Sequence, residues 1–190
     1  MEPLELVERL ARTRVGGTHN QYARSPLRRD RLCAYLESRA PAEVVLVGEA
    51  AGYRGARVSG IPFTSERQLT GSGPAEPSAT VVHRTLRELG IEQEVLLWNV
   101  VPTHPGTAVS NRRPTRVEIE ASRPFLEEIV RDRRAIAVGR VAAAVLDAPY
   151  VRHPARGGAA AFAAGLESLA ATGFRYNPPL ADACVRRFSV

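Results

Sequence analysis

Two kinds of hydrophobic pattern alternate along the chain. In the first, apolar residues recur every three or four positions, which is typical of amphipathic helices. In the second, short runs of apolar and often β-branched residues follow one another directly, which is typical of strands covered on both faces. The first pattern predicts helices at 1–14, 25–40, 78–90, 114–134, 140–148 and 157–173, and the second predicts strands at 42–48, 94–101, 135–139 and 150–154.

Local sequence signals mark the ends of several predicted helices. Ser78 stands where the N-cap of its helix is expected. Thr115 lies three residues before Glu118, which is the spacing of a capping box. Pro124 falls inside the same predicted helix. Because proline lacks the backbone N–H, it predicts a kink or a break at that point.

The alternation of strands and helices predicts an α/β fold. We expect three αβα layers around a small, mainly parallel sheet of four strands. The 190 residues are enough for one domain with a sizeable core, so we expect a single domain over residues 1–190. Segment 174–190 matches neither pattern, and it either adds an edge to the sheet or packs on the surface.

Charge and composition narrow the function classes. The formal net charge is +6, and all 26 basic residues are arginine. A basic surface favours a polyanionic partner such as nucleic acid, although many basic surfaces have no such partner. Because the chain contains no lysine, no side-chain amine is available to form a Schiff base with a substrate.

Cysteine and histidine positions predict neither a metal site nor another cofactor site. Cys33 and Cys184 are far apart and lack C-x-x-C partners, so we expect buried free thiols. The four histidines lack a metal-ligand spacing such as H-x-x-x-H. No apolar run is long enough to span a bilayer, and the first residues are acidic and amphipathic, unlike a signal peptide. We therefore expect a cytoplasmic protein.

A glycine-rich segment, GEAAGYRGARVSGIPF, follows the first predicted strand at residues 48–63. Ligands of open α/β sheets bind outside the carboxyl ends of the strands, so this segment is the first candidate site. It is not a P-loop, because lysine is absent, and the spacing of its glycines does not fit G-x-G-x-x-G. Phe63 stands beside a second capping-box pair, Ser65 with Gln68. Its ring either offers a stacking platform for a base or fills the core.

Two other predicted strand ends carry polar side chains. Asn99 ends the apolar run VLLWN, and its amide either ties down the next loop or reads the edge of a planar base. His153 precedes Pro154 at the last strand end and is either a structural histidine or a catalytic one. Arg156 and the start of the next helix form a candidate phosphate site.

Taken together, these segments resemble the uracil-DNA glycosylase superfamily. GEAAGYRGARVSGIPF is similar to the superfamily's first motif, in the G-E-A-P-G … G-x-P-F form of an iron–sulfur-containing branch. LLWNVVPTHP resembles the asparagine-bearing strand, and NRRPTRVEIEASRPFLEEI the segment that follows it. AVGRVAA and RHPARGG resemble the later strand–helix turn and the histidine–proline motif of the DNA-inserting loop. The likeness extends from about Glu43 to Leu169.

The resemblance implies a monofunctional repair enzyme of base excision repair that acts on DNA as a monomer. It would flip out uracil or a related deaminated base and hydrolyse the N-glycosidic bond. Phe63 would stack on the base, Asn99 would read its edge, and His153 would donate a hydrogen bond to the leaving base. The pocket would take its backbone lining from Gly48, Glu49 and Ala50, and the DNA-inserting segment would comprise Pro154, Ala155, Arg156, Gly157 and Gly158.

Departures from the superfamily's motifs qualify this implication. Ala50 stands where the best-known branch carries a water-positioning aspartate, so Glu49 is our candidate for the carboxylate near the water. Glu49 would otherwise be a strand-end glutamate in an ion pair. Gly52 stands where a thymine-excluding tyrosine is found, which makes Gly52 and Tyr53 candidate substrate-binding residues. The four cysteines of the iron–sulfur branch are absent, so we expect no cluster.

Two other functions remain open on the sequence alone. Ala50 favours a damaged-DNA-binding protein that keeps the fold but turns over slowly or not at all. An enzyme acting on small nucleotides would be favoured only by analogy with other doubly wound sheets.

Overall fold

The computed structural model describes residues 1–173, which form eight helices and four strands. In chain order these are α1 (Pro3–Arg12), α2 (Pro26–Ser38), β1 (Val44–Ala50), α3 (Ala56–Ser59), α4 (Glu66–Thr70), α5 (Pro77–Glu88), β2 (Val95–Val101), α6 (Arg116–Val130), β3 (Arg134–Val138), α7 (Arg140–Val145), β4 (Tyr150–Val151) and α8 (Ala159–Ala171). The predicted helices and strands are confirmed, with ends that shift by a few residues.

The four strands form one sheet in the order β2-β1-β3-β4, and every pair in it is parallel. β1 lies between β2 and β3, with Gly48 opposite Asn99. Since the strands run in the same direction, the segments that follow them leave from one edge of the sheet. The loops that carry the predicted site residues therefore start from the same edge.

Apolar side chains cover both faces of the sheet. Successive β1 residues alternate between two buried clusters, with Val45 and Val47 in one and Val44 and Leu46 in the other, as the two-residue period of a strand requires. The first cluster includes side chains of α1, α2, α6 and α7. The second includes side chains of α5 and α8. This confirms the predicted three-layer α/β fold.

Helix α5 begins two residues earlier than an N-cap at Ser78 would place it. Its N-cap is Glu76, and Pro77 occupies the first helical position, where proline's fixed φ suits a helix and its missing N–H costs nothing. The prediction of Ser78 as N-cap is therefore wrong. Both predicted capping boxes, Thr115 with Glu118 and Ser65 with Gln68, are confirmed.

Helix α6 runs without a break through Pro124. The residue lies on the exposed side of the helix, as does Glu120, whose carbonyl loses its intrahelical donor. Water can satisfy that carbonyl, while the opposite side of α6 packs Phe125 and Leu126 into the core. The predicted break is wrong because burial of this apolar face outweighs the loss of one hydrogen bond.

Several other predictions concern features away from the sheet. Cys33 is a free thiol that is half-buried rather than buried, and its Sγ lies 3.3 Å from Glu37 Oε1. Cys184 and the whole of segment 174–190 lie outside the described residues. Within residues 1–173 no helix is long and apolar enough to cross a membrane.

Candidate active site

A pocket lies at the carboxyl edge of the sheet, where the segments after β1, β2 and β4 meet the start of α5. Side chains from four separate parts of the chain enclose it. Its lining comprises Glu49, Ala50, Gly52, Phe63, Glu76, Ser78, Asn99 and His153. The topology thus brings together the three residues that the sequence predicts as base-contacting, namely Phe63, Asn99 and His153.

Phe63 packs directly over Gly48. A Cβ at Gly48 would overlap the Phe63 ring, and it would stand 2.9 Å from Asn99 Oδ1. Position 48 must therefore be glycine if the aromatic ring and the amide are both to reach the pocket. The Phe63 backbone has φ +51, a left-handed conformation that is unusual for a bulky residue and is maintained only where surrounding structure imposes it.

The surrounding structure that fixes Phe63 is a set of hydrogen bonds to its own loop. The buried Ser59 hydroxyl donates to Thr64 O at 2.6 Å, and the Tyr22 hydroxyl donates to Gly60 O at 2.9 Å. Thr64 Oγ1 lies 3.1 Å from Nε2 of His83, and Nδ1 of the same histidine lies 2.8 Å from Glu92 Oε1. These contacts on both sides of Phe63 hold its ring at the pocket.

Asn99 is the one amide side chain of β2, whose other residues are apolar. The side chain is 3% exposed, yet among residues 1–173 nothing hydrogen-bonds to its amide. It does not tie down the following loop, which was the alternative interpretation. The amide atoms are not sealed off from solvent, because the side chain borders the pocket. The amide that lines the pocket is therefore available to a ligand that offers one donor and one acceptor.

His153 presents one defined nitrogen to its surroundings. The backbone N–H of Ala155 donates to its Nδ1 at 3.1 Å, so in the neutral ring the proton resides on Nε2. Burial, and then the charge of Arg152, lower the pKa of His153. The ring centroid is 6.4 Å from that of Phe63. The side chain is therefore a neutral imidazole beside the aromatic platform, with an N–H to donate.

The segment after His153 makes a sharp turn with an exposed tip. Arg156 and Gly157 have φ values of +53 and +75 and are exposed, whereas Pro154 and Gly158 are buried beneath them. A Cβ at Gly158 would overlap the carbonyl oxygen of His153. Of the predicted DNA-inserting residues, Arg156 and Gly157 thus stand at the surface, Ala155 is half-buried, and Pro154 and Gly158 support the turn.

Glu49 stands at the pocket in an electropositive environment. Burial raises the pKa of its carboxyl, and the charges of Arg113 and Arg156 oppose that effect. No hydrogen bond or ion pair holds Glu49 within residues 1–173, so it is not the ion-paired strand-end residue of the alternative interpretation. Ala50, beside it, contributes to the lining but brings no polar group.

Tyr53 does not enter the pocket. Its ring lies under the guanidinium of Arg54, 5.3 Å from Cζ to the ring centroid, and its backbone N–H donates to Asn111 Oδ1 at 2.9 Å. Gly52, in contrast, lines the pocket. The structure therefore brings one of these two predicted substrate-binding residues to the site and directs the other outward.

Glu76 and Ser78 line the pocket although the sequence analysis assigned neither of them to it. A Cβ at either Gly52 or Gly55 would overlap the carboxylate of Glu76, so the glutamate occupies the space that side chains at these positions would need. Burial raises the pKa of Glu76 to about 7. The glutamate lies in a segment without hydrophobic periodicity, GSGPAEPSAT, and no motif indicates its role.

Comparison with known proteins assigns the fold and site to a family. A family described as the Uracil DNA glycosylase superfamily matches residues 37–173, which include every pocket residue. The chain belongs to the uracil-DNA glycosylase superfamily. The crystal structure of SMUG2 from Pedobacter heparinus is similar in fold to this superfamily member, with a TM-score of 0.62 over 92% of this chain and 98% of that chain, at 13% identity. No curated protein matches the sequence.

Membership of the uracil-DNA glycosylase superfamily confirms the predicted family and fold. It supports a DNA glycosylase as the general class of protein.

Proposed function

We propose that the protein is a monofunctional DNA N-glycosylase that hydrolyses the bond between deoxyribose and a flipped-out uracil or related deaminated base. The observation that carries this proposal is the convergence of Phe63, Asn99 and His153 on one pocket. An aromatic ring, an unpaired amide and a neutral imidazole are the groups needed to stack on a planar base, read its edge and stabilise its departure.

Base binding is the part played by Phe63 and Asn99. The target base cannot be reached inside a duplex, so the nucleotide rotates out of the stack and enters the pocket. The Phe63 ring then stacks on its face, which is worth about 1–3 kcal/mol for a base on an aromatic side chain. The Asn99 amide pairs with one donor and one acceptor of its edge, since no protein group within residues 1–173 competes for it.

Bond cleavage depends on stabilising charge. As the glycosidic bond breaks, the base leaves as a delocalised anion and the sugar becomes oxocarbenium-like. The Nε2–H of His153 donates to the developing charge on the base, in the manner of an oxyanion-hole donor. The lowered pKa of His153 keeps the ring neutral. A neutral ring suits this role, because its Nε2–H can donate a hydrogen bond without transferring the proton.

One acidic side chain at the end of β1, that of Glu49, is our candidate for orienting the attacking water. Glu49 lies beside Ala50 in the lining, and as a carboxylate it would oppose the cationic sugar and orient water towards it. Burial raises the pKa of its carboxyl, and the charges of Arg113 and Arg156 offset part of that rise in favour of the ionised form. The same two arginines supply positive charge for the phosphates that flank the extruded nucleotide.

Excision assays test this proposal. The protein is incubated with single- and double-stranded oligonucleotides that contain uracil, hypoxanthine or xanthine, and abasic sites are then cleaved with alkali. We expect strand breaks that fall by roughly 10²–10³ in rate for His153→Ala and for Asn99→Ala, as for other single transition-state donors. Ser110→Ala, in an exposed position outside the pocket, serves as the control.

The outcomes separate the candidate functions. Tight binding of uracil-containing DNA without strand breaks would favour a damaged-DNA-binding protein, the interpretation that Ala50 supports. Absence of binding to DNA at modest salt would rule out both functions. Full activity in Glu49→Gln would remove the role assigned to that carboxylate while leaving the rest of the proposal intact.

A further inference from the structure

Glu76 is the one ionisable side chain of the pocket to which the proposed reaction gives no task. It is the N-cap of α5, yet its side chain does not cap the helix, although carboxylates at that position commonly accept from the free N–H groups and stabilise the helix. The carboxyl group instead lies against Gly52 and Gly55 and lines the pocket. Because the carboxyl group faces the pocket and does not cap the helix, we expect it to contact a ligand.

The Glu76 carboxyl group is without a partner among the residues that the structure describes. Across residues 1–173 nothing donates a hydrogen bond to it and no cation pairs with it. Of the other ionisable groups in the pocket, Glu49 has Arg113 and Arg156 near it, and His153 has Arg152. The loop against which Glu76 packs carries Tyr53 and Arg54, whose side chains contact each other. Burial alone acts on Glu76, raising its pKa to about 7.

Binding of substrate would further favour the protonated form of Glu76. A base that enters the pocket displaces water from it, and the phosphates of DNA add negative charge nearby. Both effects disfavour a carboxylate. A protonated carboxyl group is a hydrogen-bond donor, whereas an ionised one only accepts, so its protonation state decides which atom on a base it can bind.

We propose that the protonated carboxyl group of Glu76 donates a hydrogen bond to the exocyclic carbonyl oxygen of the flipped-out base and so selects deaminated bases over their amino parents. Deamination replaces an exocyclic amino group, which is a donor, with a carbonyl oxygen, which is an acceptor. A carboxylic acid can donate to the second, whereas a carboxylate only accepts and so can pair with the first alone. This selection rests on the proposed function, because it needs a base held by Phe63 and Asn99.

The test measures base preference as a function of pH. Oligonucleotides carrying 2′-fluoro-deoxyuridine or 2′-fluoro-deoxycytidine, which resist cleavage of the glycosidic bond, are bound competitively between pH 6 and pH 8.5. Excision of ordinary uracil is followed over the same range. The proteins compared are the wild type, Glu76→Gln and the control Glu88→Gln, an exposed glutamate of the same helix. Melting curves check that each variant is folded.

In the wild type and in Glu88→Gln, we expect the preference for uracil over cytosine to fall as pH rises through about 7. Above that pH the fall should approach roughly tenfold for each pH unit. Glu76→Gln, whose amide can donate at every pH, should excise uracil with no pH dependence in this range. Titration of His153 is common to all three proteins and cannot produce this difference.

Three results would overturn the inference. One is a uracil preference that is independent of pH in the wild type. Another is a wild-type rate of uracil excision that rises with pH through 7, together with a loss of two orders of magnitude or more in Glu76→Gln. That pair of results would make Glu76 a general base, which acts in its ionised form. The third is a Glu76→Gln protein that keeps the pH dependence of the wild type.

Failure of this inference is distinguishable from failure of the proposed function. If the wild type binds the uracil analogue with the expected pH dependence but cleaves nothing, the selection by Glu76 stands and the glycosylase activity does not. If the wild type excises uracil but prefers the uracil analogue over the cytosine analogue equally at every pH, the glycosylase activity stands and the selection by Glu76 does not. If it neither cleaves nor discriminates, both are wrong.

Discussion

Gly48 shows how a single missing side chain sets the geometry of this pocket. The Phe63 ring and Asn99 Oδ1 occupy the space around the position where its Cβ would be. Both are buried among rigid neighbours, so neither can move away without disturbing the core. Stacking on the base and recognition of its edge thus depend on the same glycine.

We therefore expect Gly48→Ala to lose about two orders of magnitude in uracil excision, because displacement of a positioning group by about 1 Å commonly costs that much. Single-turnover kinetics with a uracil oligonucleotide measure the loss. Gly17→Ala is the matched control, since a Cβ there meets only ordinary contacts. An unchanged rate in Gly48→Ala would show that the Phe63 ring is not the platform for the base.

The half-buried carboxyl group of Glu76 also makes the stability of the protein depend on pH. Its pKa is about 7 in the folded protein, against 4.5 ordinarily, so the folded state holds the proton more firmly. This contribution to stability is fully present below about pH 4.5 and is lost as pH rises towards 7. Glu76→Gln does not share this loss. Its free energy of unfolding should therefore rise, relative to that of the wild type, by on the order of 2–3 kcal/mol between pH 5 and pH 8.

Urea unfolding of the two proteins at pH 5 and pH 8 measures this gain. Glu88→Gln, which changes an exposed residue of the same helix, should show no such difference between the two pH values. A Glu76→Gln protein that follows the wild type at both pH values would mean that the carboxyl group is better solvated than its position indicates.

At the scale of elements, the start of α6 is held by one glutamate. Glu118 accepts from both Arg112 Nη1 and Nη2, at 2.8 and 2.5 Å, and from the backbone N–H of Thr115 at 2.8 Å. Its side chain is 2% exposed and packs against Gly16. It thus joins the loop after β2, the first turn of α6 and the turn after α1.

Glu118→Gln should lower the free energy of unfolding by on the order of 2–3 kcal/mol at pH 7. It removes the charge of a buried carboxylate that accepts two hydrogen bonds from Arg112. The hydrogen bond with Arg112, followed by other contacts, lowers the pKa of Glu118 to about 2. Its contribution is present above about pH 4.5 and is lost as pH falls towards 2. Urea unfolding should therefore show a difference from the wild type that narrows below pH 4.

Thr115→Ala is the matched variant for this prediction. It removes the other half of the capping box but keeps the ion pair, so it should cost only about 1 kcal/mol. A difference between wild type and Glu118→Gln that stayed constant from pH 7 to pH 3 would contradict the assigned ionic contribution.

The elements themselves were largely predictable from the sequence, whereas the site was predictable only in part. The apolar runs of β1 to β3 and the capping pair at Thr115 are local signals. Asn99 and His153 stand out because each is polar at the end of an apolar strand. Glu76 has no such signal, since its place depends on how α5 packs beside a loop more than 20 residues earlier in the chain. The short α3 is likewise created by the loop's tertiary contacts.

At the scale of the whole molecule, positive charge is distributed in a way that DNA binding can test. The net charge is +6, and Arg156 stands exposed at the tip of the turn beside the pocket. Arg131 is also exposed but lies just before β3 begins, at the opposite edge of the sheet. Only the first of these is placed to contact a phosphate near an extruded base.

We expect Arg156→Ala to weaken binding of uracil-containing DNA and to reduce the slope of log K against log salt by about one, as loss of a single phosphate contact does. Arg131→Ala should change neither. Fluorescence anisotropy between 50 and 200 mM salt measures both quantities. Equal effects of the two substitutions would mean that the charge acts diffusely and that the turn makes no specific contact.

The packing of Glu76 against Gly52 and Gly55 has a consequence for how this pocket can be altered. Any side chain introduced at position 52 must first be given the room that the glutamate now takes, so substitutions at 52 and 76 will not be independent. A larger residue at 52 requires the flexible Glu76 side chain to turn away from it or to be shortened, and a double-mutant cycle should register the two positions as coupled. Redesign of the accepted base has to treat the three residues as one unit.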